Sequence, residues 1–272
     1  MKTALMGLSN NVADNIIKIK TWATSFKHVS EGDVILLCDN STPEDLKLCV
    51  DLGIIPVQVT INDLLYINHE RLKHTYEYLK TSDIDLFIIT DVFDVVFQGN
   101  PFEKLDTANY DVFVSGEGVT VDEEPWNSDN INKIFPQHHL ICKSTEVINS
   151  GIIAGKRTAL VKLIQEMYQL CETGSNAHNI KDQAALIVMV SKNEIEHLKI
   201  FNLDDGWAMH CAVAGPTRFF QEWGFHEKIK YGIPKMVNNI VVNKYDIRYD
   251  MVHQFNRVPE WHKIIKEKYN IV

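Results

Sequence analysis

Asp85-Leu-Phe-Ile-Ile-Thr-Asp91-Val-Phe-Asp94-Val-Val-Phe97 carries a short apolar run that ends on two acids three residues apart. The run has the length and composition of a buried strand. In open α/β sheets ligands collect beyond the carboxyl ends of the strands, and hard divalent cations take carboxylate oxygens there. Asp91 and Asp94 therefore read as a metal-diphosphate site. The alternative is a loop whose aspartates serve their own turn and cap hydrogen bonds.

Upstream of this run the chain alternates between two periodicities. Thr3-Ala-Leu-Met-Gly-Leu8 and Asp33-Val-Ile-Leu-Leu-Cys38 read as buried strands. Between them Val12, Ile16, Ile19, Trp22 or Ala23, and Phe26 recur at helical spacing. Ser41-Thr-Pro-Glu44 has the form of a capping box with proline in the first turn, which predicts a helix to about Gly53. Residues 54–60 read as a third strand, 69–80 as a helix and 86–90 as the fourth strand. Such alternation predicts an α/β fold with a mostly parallel central sheet, right-handed crossovers and helices on both faces.

Downstream the pattern is less regular. Val112-Phe-Val-Ser115 reads as a strand, whereas 116–136, rich in acids, Gly and Pro, reads as a long irregular excursion. Glu146 to Gly155 precedes a helix from about Arg157 to Cys171, Asp182 opens another, and 260–269 closes the chain as a helix. No repeat, low-complexity tract or linker interrupts the sequence, so we expect one domain over 1–272. Its nucleotide-binding part spans about 1–100 and its acceptor and closing part about 101–272.

Composition bounds the partners. Charged residues make up 23% and hydrophobic ones 45%, ordinary globular values that argue against disorder. A net charge of -9 disfavours nucleic acid, whose phosphates select basic surfaces. A bound divalent cation still lets an acidic protein hold a small anion. Five scattered cysteines without a CxxC pair signal neither a zinc knuckle nor a disulfide framework. The N-terminus enters a strand directly, without a secretory leader. No apolar run approaches the ~20 residues that span a bilayer. The expectation is a soluble protein of the cytoplasm, or of the host cytoplasm if the source is viral.

Several motifs gain meaning from their order. Thr90-Asp-Val-Phe-Asp-Val95 comes first, then Val112-Phe-Val-Ser-Gly-Glu117 with Pro125-Trp126, Ile148-Asn-Ser-Gly-Ile-Ile-Ala-Gly155, Lys181-Asp-Gln183 and Val252-His-Gln-Phe-Asn256. In this order the chain resembles metal-dependent glycosyltransferases of the A-type fold. Within them it is most similar to the glycosyltransferase domain of lysyl hydroxylases and to procollagen galactosyltransferases, and more distantly to glycogenin. The likeness spans roughly residues 3–256. It implies transfer of a hexose from a nucleoside diphosphate sugar, a UDP-sugar, to a glycan or other hydroxyl acceptor, with manganese or magnesium as cofactor.

The resemblance also implies roles. Asp91, Asp94 and His253 would hold the cation, which neutralises the departing diphosphate as a Lewis acid. Gly7, Leu8 and Ser9 would cradle uracil and ribose, Asp91 would also reach the ribose, Arg71 would contact base or phosphate, and Arg257 would reach the diphosphate. Asp182 and Asn149 would be the catalytic pair, with Glu117, Trp126, Ser150, Gly151 and Gln183 binding substrate. The family carries two acids before the glutamine, and Lys181 stands in the first of those places. The segment around His253 would close the site once nucleotide and metal are present.

Each residue has a plainer reading as well. Gly7 suits a plain turn after a strand; Arg71 and Arg257 suit a solvated surface; Asp182 suits a helix N-terminus; Trp126 and His253 suit ordinary packing. A haloacid-dehalogenase-type phosphatase needs Asp-x-Asp on an early strand, which this chain lacks. A noncatalytic nucleotide-sugar binding module shares the same fold-level signals.

Overall fold

The computed structural model describes residues 1–178, 180–212 and 232–269. Its first half alternates β1 (Thr3–Ser9), α1 (Val12–Lys27), β2 (Asp33–Cys38), α2 (Pro43–Asp51), β3 (Ile55–Gln58), α3 (Ile67–Thr81) and β4 (Leu86–Thr90). These four strands are parallel and lie in the order β3-β2-β1-β4. The order reverses at β1, so a crevice opens beyond the ends of β1 and β4, where such sheets bind ligands.

After β5 (Val95–Phe97) the sheet is extended on the β4 side by β6 (Val112–Thr120), β7 (Glu146–Lys156) and β8 (Leu198–Phe201). β7 runs antiparallel to both β4 and β6, and β8 runs parallel to β6. Between them lie α4 (Pro125–Ile134), α5 (His139–Cys142), α6 (Arg157–Thr173) and α7 (Lys181–Ser191). The chain then adds β9 (Ala208–His210), β10 (Lys235–Val237), β11 (Ile240–Val242), β12 (Met251–His253) and α8 (Pro259–Lys268). The sheet is thus mostly parallel and flanked by helices, as the sequence pattern implies.

The central strands are buried on both faces, which is why they read as continuous apolar runs rather than alternating ones. Successive side chains still divide by face. Leu5 and Ile88 join Trp22, Phe26 and Phe113 in one apolar layer, whereas Met6 and Ile89 join Leu72, Leu163 and Leu186 in the other. Trp22, fully buried on α1, donates from Nε1 to Thr90 Oγ1 at 2.8 Å. That bond fixes the last residue of β4, one position before Asp91.

Two local expectations are corrected. The capping box of α2 sits one residue later than 41–44: Thr42 is the N-cap, Asp45 N donates to its hydroxyl at 3.2 Å, and Thr42 N donates to Asp45 Oδ2 at 2.9 Å. This register puts Pro43 at the first helical position, where its missing N–H leaves no bond unmade. The stretch 116–136 is not an irregular excursion, because β6 continues to Thr120 and α4 follows. Glu124 caps α4, accepting from Trp126 N at 3.0 Å and from Asn127 N at 2.6 Å, and Pro125 starts it. The acids and Pro read as loop chemistry were helix-start chemistry.

A separate three-stranded sheet, β5-β12-β9, lies beside the Asp91–Asp94 loop. β12 is its middle strand, antiparallel to β5 and parallel to β9, with His253 opposite Val95 on one side and His210 on the other. Tyr249, Val252, Phe255, Trp261 and Ile265 form a third apolar cluster over it. No helix among the described residues is long and apolar enough to cross a membrane. Within the expected 1–272 domain, residues 213–231 and 270–272 lie outside the described residues.

Candidate active site

The loop from Asp91 to Asp94 joins β4 to β5 and is pinned from two directions. Asp91 N donates to Gly151 O at 2.9 Å, and Gln254 N donates to Asp94 O at 2.7 Å. The second bond continues the β5–β12 ladder, so strand pairing itself sets His253 beside Asp94. Ligand atoms of Asp91, Asp94 and His253 lie within 4.8 Å of one another. His253 Nε2 is 3.3 Å from Asp91 Oδ2 and 3.5 Å from Asp94 Oδ1.

His253 is 2% exposed, and its Nε2 is buried without a hydrogen-bond partner. Nε2 thus forms no hydrogen bond but lies within ion-pair distance of two carboxylates, and its aim between them is what a cation ligand requires. Two carboxylates and one imidazole suit manganese or magnesium, with positions left for other oxygens. The three residues therefore fit a divalent ion.

Burial opposes a charge on the His253 ring, but Asp94 and Asp91 outweigh it and push its pKa up to about 10 from 6.5. Burial likewise opposes the charge on Asp91, yet Arg71 and then His253 hold it well below the usual carboxylate range. The raised histidine pKa makes charged His253 stabilising below about 6.5, with the contribution lost as pH rises to about 10. We expect the melting temperature of metal-free protein to fall over that window, and the His253→Gln variant to lack this part of the slope. Parallel melting profiles for the two would contradict the assignment.

A second network adjoins the first. Arg71 on α3 forms a short ion pair with Asp91, and its Nη2 donates to Asp182 Oδ2 at 2.6 Å. Ser150 Oγ donates to the same Asp182 oxygen at 3.0 Å. Asp182, in the first turn of α7, is 1% exposed, and its Oδ1 is buried with no partner. Burial between two acids would depress Arg71, but Asp91 and Asp182 raise its pKa and keep it charged. Its guanidinium thus engages two carboxylates, a link that reading it as a base or phosphate contact does not foresee.

β7 supplies the floor. Asn149 Oδ1 accepts from Gly151 N at 2.7 Å, and its Nδ2 donates to Glu117 Oε1 at 2.6 Å. Burial pushes Glu117 up to about 7 despite that bond. A Cβ on Gly151 would stand 2.8 Å from both Asn149 Oδ1 and Asp91 Oδ2 and would run into His253 Cε1. Only glycine lets β7 pass this close to Asp91 and His253.

The remaining expected residues ring this centre. Gly7 packs so closely under the Asp91–Asp94 loop that a Cβ would strike Val92. Leu8 and Ser9 end β1, buried, and Ser9 O accepts from Asp39 N at 2.9 Å. A polar cavity of about 590 Å³ begins there, lined by Asp39, Asn40, Ser41, Thr42, Gln58, Val59 and Thr60. Gln183 Nε2 donates to Asn127 Oδ1 at 3.0 Å, which ties α7 to the start of α4. Trp126 is 41% exposed and meets His178 edge-on, with ring centroids 5.9 Å apart. Arg257 is exposed in a single 3-10 turn, Phe255–Arg257, just after β12.

Lys181 turns away from the acids. Its Nζ donates to Cys171 O at 3.2 Å, Gly174 O at 3.1 Å and Asn176 Oδ1 at 2.7 Å, closing the end of α6. Lys181 thus takes no part in the Arg71–Asp182–Ser150 network. Sequence reasoning missed His210, which is fully buried with Nδ1 2.9 Å from His253 Nδ1 and Nε2 2.5 Å from Ser115 Oγ. One signal was present: Ala208-Met-His210 and Met251-Val-His253 are both short apolar runs ending on histidine.

No family model matches the sequence, and no curated protein matches it. Solved structures do. The galactosyltransferase LgtC in complex with donor and acceptor sugar analogues superposes over 97% of this chain and 95% of its own, with a TM-score of 0.60 at 11% identity. An active-site mutant of LgtC gives 0.59 at 10% identity, over 97% of this chain and 95% of its own. The chain has the A-type glycosyltransferase fold.

Proposed function

We propose that this protein is a metal-dependent glycosyltransferase that moves a hexose from a UDP-sugar to a glycan or other hydroxyl acceptor. The observation that carries the reading is the unpartnered His253 Nε2 aimed between Asp91 and Asp94, at the switch point of an A-type sheet. The kinship with lysyl hydroxylase and procollagen transferase domains is part of this proposal, as is a single catalytic unit over 1–272.

Asp91, Asp94 and His253 would hold manganese or magnesium, which when bound supplies Lewis-acid neutralisation of the leaving diphosphate. Arg71 sets the spacing between metal and sugar subsites by binding Asp91 and Asp182 at once. Asp182 Oδ1, buried without a hydrogen-bond partner beside Ser150 and Arg71, offers the donor sugar an acceptor. Asn149, held by Glu117, presents the β7 floor to the same sugar, with Ser150 and Gly151. The cavity lined by Asp39, Asn40 and Thr60 gives the nucleoside room, next to the end of β1 that carries Gly7, Leu8 and Ser9. Gln183 and Trp126 flank the sugar from α7 and α4, and Arg257 lies where the diphosphate charge would attract it.

Three protein ligands leave coordination positions that diphosphate oxygens complete, so metal and nucleotide must raise each other's affinity by the same factor. Calorimetry of UDP binding with and without manganese tests this. We expect affinity to rise about 5- to 150-fold with metal, and the gain to vanish in Asp94→Asn. Equal UDP affinity in both conditions would refute the shared site. Turnover of a UDP-sugar panel separates a transferase from a binding module, which would release no UDP.

A further inference from the structure

The metal set is completed by two residues that touch no metal position. His210 Nδ1 and His253 Nδ1 lie 2.9 Å apart, with the two rings nearly perpendicular at 89°. Two ring nitrogens at that distance bond only if one carries the hydrogen and the other does not. For His253 Nε2 to offer a lone pair toward Asp91 and Asp94, its hydrogen must sit on Nδ1. His210 Nδ1 is then the acceptor, and its own hydrogen sits on Nε2, which faces Ser115 Oγ at 2.5 Å. All three side chains are buried: His210 and Ser115 are 0% exposed and His253 is 2%. No water competes for these bonds, so the order of donors fixes the tautomer of the ring at the end of the chain.

The elements explain how the relay is built. β9 and β12 are parallel neighbours, and their register sets His210 directly beside His253. Ser115 comes from β6 of the central sheet. The relay thus joins the central sheet to the β5-β12-β9 sheet, and it reaches the one member of the Asp91–Asp94–His253 cluster that, among the described residues, the C-terminal third contributes. We propose that His210 and Ser115 are positioning residues that hold His253 in the Nδ1–H tautomer, turned so that Nε2 faces the cation. This rests on the metal reading above. Partners that orient a ligating histidine in this way affect metal affinity about 10- to 100-fold when removed.

The test is manganese affinity of the purified full chain without nucleotide, read from the electron paramagnetic resonance signal of free Mn2+. His210→Leu keeps an apolar side chain in the cluster but removes the acceptor, and its affinity should fall about 10- to 100-fold. His210→Asn places an amide oxygen near the position of Nδ1 and should restore most of that loss. Ser115→Ala removes one oxygen from a buried strand and should weaken binding by several-fold. Thermal melts of the metal-free forms identify variants that fold. Wild-type affinity in folded His210→Leu overturns the relay, and so does an equal loss in the Leu and Asn variants, because packing alone would then explain it. If His210→Leu does not fold, Ser115→Ala decides: unchanged affinity overturns the relay. A wild type that takes up no manganese would overturn the metal reading itself, whereas variants that bind as well as a binding wild type overturn only the relay.

Discussion

Gly151→Ala should abolish cation binding while leaving the sheet folded. The added Cβ would stand 2.8 Å from Asn149 Oδ1 and Asp91 Oδ2 and would press on His253. None of the three can easily retreat. Asn149 is held by Glu117 at 2.6 Å, Asp91 is paired with Arg71, and His253 lies in the middle strand of its sheet. Overpacking of this kind destabilises by about 1–3 kcal/mol, which a sheet with two apolar layers can absorb. The larger effect is geometric, because moving a functional group by about 1 Å costs on the order of a hundredfold. Manganese titration of the variant, with circular dichroism to verify folding, measures both. Wild-type affinity would mean that Asp91 and His253 do not share an ion.

Asp182→Asn should depress kcat by about 10²–10³ with little change in donor KM. Arg71 and Ser150 both donate to Asp182 Oδ2, at 2.6 and 3.0 Å, so an asparagine would set its oxygen there. The amide nitrogen would then occupy the place of Oδ1, turning an unpartnered acceptor into a donor. A sugar hydroxyl that donates to Asp182 would meet a hydrogen instead, and developing positive charge on the sugar would lose a nearby anion. Such a contact matters most in the transition state, which is why kcat and not KM should carry the loss. Steady-state kinetics with a turned-over donor decide it. Normal kcat would reduce Asp182 to an acid at a helix start.

The fold was legible wherever one periodicity dominated. β1, β2 and β4 are buried on both faces, so each appears as an unbroken apolar run, and the helices between them carry their stripe at 3.6-residue spacing. The acid, Gly and Pro content of 116–136 misled because the same residues that build turns also start helices, as Glu124 and Pro125 do for α4. In the site, Asp91, Asp94 and His253 were legible through motif order and are brought together. Arg71 was visible as a residue but not as a bridge, since its two partners come from β4 and α7 and meet only in the folded chain. His210 gave almost no signal, because a lone histidine after two apolar residues is what an ordinary buried strand also contains.

The segment around His253 was expected to arrive only with ligands. β12 is laddered to β5 and β9, with His253 as its last residue. Gln254, in the left-handed region at φ 57, turns the chain sharply afterwards, and its Oε1 accepts from Ala212 N at 3.2 Å.

That small sheet also imposes an order of assembly. Its middle strand is the last of the three to leave the ribosome, after β5 and β9 have both been made. Until β12 inserts, the two flanking strands have no ladder between them, and the parallel half of the molecule has only its pair of aspartates. A growing chain can therefore complete the crossovers around β1 and β4 while still lacking the imidazole that faces Asp91 and Asp94, so the Asp91–Asp94–His253 cluster is a property of the whole chain and not of its first hundred residues.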